Sequence, residues 1–166
     1  MFRTIEDFSN SWKYEAEETH KLFTNLTNES LNQKVTEDGR ALGFLAWHIA
    51  QTMPEMLGEV GLKINGPGWD TSCPESAEEI AEAFLQAANS VLEEVTANWN
   101  DETLKEIDTM YGEQWSRGTT LFNLVLHQTH HRGQITVLMR QAGLRVNGIY
   151  GPAKEDWASM GMPAMA

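Results

Sequence analysis

Two histidines one helical turn apart interrupt the apolar pattern of Leu121 to Met139, LFNLVLHQTHHRGQITVLM. Leu124, Ile135, Leu138 and Ala142 recur at helical steps, and His127 and His131 fill the gap in that stripe, where leucines would be expected. At about 3.6 residues per turn both imidazoles leave the same face of a helix and point toward the core. A buried imidazole pair without partners is costly, whereas a divalent cation takes one nitrogen of each ring and leaves the other to donate to an acceptor. Spacing alone serves a metal claw and a hydrogen-bonded core pair equally. Of the other three histidines, His48 is the candidate third ligand, because it alone lies on another long helix at a partly core-facing position. His130 projects roughly 100° away from His131 and cannot share its ion. His20 follows Glu17 as Glu-x-x-His, but a di-iron bundle needs a second such pair and the chain has none. The zinc-protease pattern HExxH is also missing, since Gln128 follows His127.

These residues must be held by helices, and the periodicity supplies four, over about 4–27, 41–60, 76–99 and 119–142. Thr4 caps the first, whose stripe is Ile5, Phe8, Trp12, Ala16, Thr19, Phe23 and Leu26. The polar stretch 28–40, with the turn signal Asp38-Gly39, leads into the second, which carries His48 and is expected to kink at Pro54. A long connection, Gly61 to Pro74, separates it from the third, where Ser76 and Glu79 form a capping box. Residues 107–118 read as irregular with a strand pair, Thr119 or Thr120 caps the last helix, and Gly143 ends it. The tail, 144–166, is mostly loop with a turn of helix around Glu155 to Met160. The expectation is an all-α, single-domain four-helix bundle over 1–166.

Composition narrows the partners. Twenty-four acidic against twelve basic residues give a net charge of −12, which repels phosphate backbones and argues against nucleic acid. A single cysteine, Cys73, rules out an internal disulfide framework, and neither an export signal nor a membrane-length apolar run is visible. A cytoplasmic protein without membrane partners is expected.

LAWHIAQT at 45–52, HQTHHRGQ at 127–134 and IYGP at 149–152 resemble the DinB/YfiT-like family of metal-dependent enzymes, and the similarity runs over almost the whole chain. The resemblance implies a metal held by His48, His127 and His131, a four-helix bundle with a long connection between the second and third helices, and pairing as a homodimer. It also implies a transferase that activates a low-molecular-weight thiol, such as bacillithiol or mycothiol, toward a small-molecule substrate. A metal-dependent hydrolase and a non-enzymatic stress protein that binds metal or ligand are the alternatives. Nitrogen ligands suit zinc or nickel foremost, and also iron, cobalt or copper. Gln51, Glu55 and Asn123, within a turn or two of the histidines, are candidates for orienting substrate or moving a proton. Arg132 is expected to pair with a surface carboxylate or to bind an anionic group, Gly133 to mark a close helix contact, Tyr150 and Trp157 to lid the pocket or dock the tail, and Trp47 and Trp69 to lie exposed. Metal affinity is expected to fall below about pH 6.5, where an ordinary imidazole protonates.

Overall fold

The computed structural model describes residues 1–163; the expected tail runs to Ala166, and 164–166 lie outside the described residues. Helices α1 (Ile5–Phe23), α2 (Leu42–Gly58), α3 (Ala77–Asn98) and α4 (Arg117–Gln141) form the bundle, and a two-stranded antiparallel sheet, β1 (Ile107–Met110) with β2 (Glu113–Ser116), precedes α4. Around the bundle the neighbours run α1, α3, α2, α4 and back to α1, so α4 has α2 on one flank and α1 on the other. Helix α4 shows almost no net amphipathicity, because Gln128, His131 and Arg132 stand at buried positions while Phe122, Leu126 and Val137 are exposed. Phe8, Trp12, Ile49, Met53, Phe84, Val91, Leu121 and Ile135 are among the side chains that fill the centre.

The helix ends follow local chemistry. The Thr4 hydroxyl accepts from the Asp7 N–H at 3.0 Å, and the Ser76 hydroxyl accepts from the Glu79 N–H. Gly143 at φ +75 closes α4 as anticipated: its N–H reaches Arg140 O and the Leu144 N–H reaches Met139 O, the paired bonds of a Schellman end. Two helix boundaries differ most from the periodicity. Helix α1 stops at Phe23, because Thr27 and Ser30 cap each other's backbone and start a 3-10 turn, Asn28–Asn32, in what reads as polar linker. Helix α4 begins at Arg117, not 119 or 120; Ser116, the last residue of β2, captures the Thr119 N–H and is the cap. Tyr111 and Gly112 both take positive φ and turn the hairpin between the strands. Helix α2 continues through Pro54 to Gly58.

Two side chains differ from expectation. Trp47 is buried, its indole N–H donating to Thr71 O at 3.0 Å. A methyl group at Gly133 would meet nothing within 4 Å, so no helix of this chain packs closely there. Among the described residues no helix is long and apolar enough to cross a membrane.

Candidate metal centre

Because α2 and α4 are neighbours, His48 meets the ring pair of α4. The Nε2 of His127 lies 3.1 Å from the Nε2 of His48 and 3.1 Å from that of His131. The ligand atoms of all three lie within 4.8 Å of one another. Nitrogens bound at about 2.05 Å to a tetrahedral ion are separated by about 3.3 Å, close to the two 3.1 Å spacings around His127.

Hydrogen bonding among the rings cannot account for this convergence. His131 Nδ1 lies 2.8 Å from the Gln134 carboxamide oxygen, which only accepts; Nδ1 therefore carries the proton and Nε2 presents a lone pair. The Nε2 of His127 bears either a proton or a lone pair, so it can complete at most one of its two 3.1 Å contacts. A cation would satisfy all three. The Gln134 NH2 in turn lies 3.2 Å from His130 Nε2, which accepts from it. Gln134 thus fixes the tautomer and the plane of the His131 ring, the role that an acceptor behind a ligand histidine usually fills. It was not singled out in the sequence, although its place three residues after His131 is a readable signal.

Electrostatics keep the rings neutral. Burial, then the neighbouring His131 and Arg40 charges, push His48 down to about 4. His127 falls to about 4 for the same reasons, burial first. His131 is lowered chiefly by burial, against the opposing pull of Gln134. Burial thus moves protonation of His48 and His127 well below the ordinary 6.5.

Two aromatic rings flank His48 on its outer side. Phe44 stacks at 6.0 Å with planes 8° apart, and Trp69 meets it edge-on at 5.6 Å. Phe44 is 47% and Trp69 62% exposed, so both also face solvent. Gln51 determines where Trp69 sits: its side-chain NH2 donates to the carbonyls of Gly68, Trp69 and Thr71, which ties the long connection to α2. Glu55 accepts from the Tyr111 hydroxyl at 2.8 Å, joining α2 to the hairpin, and Asn123 is half-buried one turn before His127.

On its other flank α4 carries a second polar system. Arg132 is 1% exposed and donates to Glu15 Oε2 at 2.6 Å and to the Thr19 hydroxyl at 2.9 Å; Glu15 is 7% exposed. The Gln128 NH2 joins the same two α1 residues, bonding Glu15 O and Thr19 Oγ1. The Tyr150 hydroxyl donates to the Glu15 carboxylate and accepts from Arg132, whose guanidinium lies over the Tyr150 ring at 5.3 Å. The expected surface ion pair is thus a buried one. Tyr150 docks the tail against the α1 flank of α4 and does not lid the histidines.

A four-helix bundle with three neutral imidazoles converging between its second and fourth helices is the class that fold and site define. A sequence model of the DinB family matches residues 1–165, and the chain belongs to that family. It is 44% identical over 164 residues to the uncharacterized protein YrdA of Bacillus subtilis strain 168, covering 99% of this chain and 98% of that one. A solved DinB-like protein from Bacillus cereus ATCC 10987 superposes with a TM-score of 0.87 at 42% identity, covering 90% of this chain and 100% of the other. The DinB-like protein YjoA from Bacillus subtilis shares the fold, with a TM-score of 0.68 at 12% identity over 89% of this chain and 99% of that one.

Proposed function

We propose that His48, His127 and His131 hold a divalent transition metal, zinc or nickel foremost, and that the protein transfers a low-molecular-weight thiol to an electrophilic carbon. The observation that carries the reading is the set of three Nε2 atoms that mutual hydrogen bonds cannot satisfy. Three nitrogen ligands leave a coordination position open, as in catalytic rather than structural sites. The bound metal would supply the acidity that keeps a thiol as its thiolate at neutral pH. The sulfur then bonds to carbon as the leaving group departs with its electron pair, and the thiol proton passes to water.

Neutral imidazoles neutralise none of the metal's charge, and Gln134 holds the His131 ring in place for it. Phe44 and Trp69 line an apolar approach for an electrophile beside His48. Gln51 is a positioning residue through the connection that carries Trp69, while Asn123 and Glu55 are the side chains assigned to orienting substrate. We assign the exposed side of α4, with Phe122 and Leu126 beside Gly133, as the face on which a second copy packs.

The test is to incubate zinc- and nickel-loaded protein with several cellular thiols and a haloalkane reporter. Turnover that requires one thiol and vanishes in His127→Ala supports the transferase. Turnover without thiol favours the hydrolase, and inertness throughout favours a binding protein.

A further inference from the structure

Past the histidines α4 continues through Gln134, Val137 and Leu138. The segment entering α2 returns over it with Val35 and Arg40, enclosing with Leu45 a cavity of about 410 Å3 beside the amide that holds His131. That size is within the range of small-ligand sites. The lining is mostly apolar, and Arg40 is its one charged residue. Glu37 and Asp38 precede Arg40 in a chain of net charge −12, yet among the described residues no carboxylate pairs with it. Its guanidinium lies over the Phe44 ring at 5.4 Å, and Phe44 is the ring stacked on His48. The α2 N-terminus that follows is capped by Ala41 with no side-chain hydrogen bond and has no acidic residue in its first turn. The Leu42 N–H is taken by Gln33 O at 2.9 Å, and the N–H groups of the next two residues add positive potential to that of Arg40. The Arg40 charge also contributes to the lowered basicity of all three imidazoles.

We propose that this cavity binds a small monoanion, a carboxylate on a short apolar chain, with Arg40 pairing the carboxylate and the far end of the ligand directed at the three histidines. One guanidinium balances one charge, and an acidic protein repels a dianion, so a carboxylate fits better than a phosphate. The apolar walls accept the chain and discriminate against compact polar anions. The direction of the far end rests on the metal reading above; the anion subsite does not.

Ligand-observed NMR on the full chain separates the two. Without added metal, hexanoate should bind about three- to fivefold more tightly than hexanol, the range of an exposed ion pair, and rising salt should erode the preference. Arg40→Gln should abolish it, Arg40→Lys should retain part of it, and zinc should bind Arg40→Gln no more weakly than the parent. Equal binding of hexanoate and hexanol, or a preference that survives Arg40→Gln, would overturn the subsite even where zinc binds normally. With zinc present, 6-mercaptohexanoate binding more tightly than both hexanoate and 6-mercaptohexanol assigns the carboxylate to the thiol. Hexanoate matching it assigns the carboxylate to the acceptor, and both results keep Arg40 as the anchor. Failure of zinc binding with hexanoate binding intact would sink the metal reading alone.

Discussion

Lowering the pH from 7 to 5 separates a buried imidazole cluster from three ordinary surface histidines. An imidazole at the usual 6.5 is about 97% protonated at pH 5 and loses about thirtyfold in apparent metal affinity, so two of them lose about a thousandfold. His48 and His127 lie at about 4, with burial as the leading cause. At pH 5 each is only about one-tenth protonated, and together they weaken binding by about 20%. His131 moves in the same direction. Zinc affinity, measured by competition with a chelator whose own protonation is accounted for, should therefore change less than about fivefold between pH 7 and 5 and fall steeply only below about pH 4. The metal-free fold carries the same signature. A folded-state pKa below the unfolded value means that stability is present above about 6.5 and is lost as pH falls through about 4. A hundredfold loss of zinc affinity by pH 5 would refute the account of these rings as dehydrated and neutral.

Arg132→Met leaves the Glu15 carboxylate buried with only Tyr150 donating to it, a loss of about 3–5 kcal/mol by analogy with other broken buried pairs. At about 2–4 °C per kcal/mol for a chain of this length, thermal unfolding should move down by roughly 6–20 °C, and a shift under about 2 °C would contradict the buried pair. Gly133→Ala removes a helix-interior glycine whose added methyl meets nothing. The exchange should raise stability by up to about 1 kcal/mol in the monomer. A destabilisation that deepens with protein concentration, followed by unfolding and gel filtration together, would place the crossing point of two copies at that residue.

The convergence of the three histidines was readable because i and i+4 on one helix is a geometric statement, and because His48 falls on the stripe of α2 that meets α4. The four helices were readable for the same reason, through Ile80, Phe84, Val91 and their equivalents. What periodicity could not show was pairing across the bundle. Glu15 lies beside Trp12, Ala16 and Thr19 in the buried stripe of α1, an acid in an apolar face, but nothing local says that Arg132 is its partner 117 residues later. Trp47 looked exposed because its burial depends on Thr71, in a connection without period. The start of α4 slipped by two residues because Tyr111-Gly112 is not a common hairpin dipeptide, so β2 and its closing serine were hard to see. Arg40 belongs to no repeat at all; only the returning chain gives it a cavity to guard.

Gripped by α1 through Arg132 and Gln128 and facing His48 of α2 across its other side, α4 has little freedom to roll about its own axis. A turn of a few degrees would pull the guanidinium off Glu15 at the same moment that it swung the His127 and His131 rings out of convergence. The buried ion pair thus acts as a key in a slot, setting the azimuth of a helix so that the three rings are already aimed, and an ion bound there would spend little of its binding free energy on arranging them.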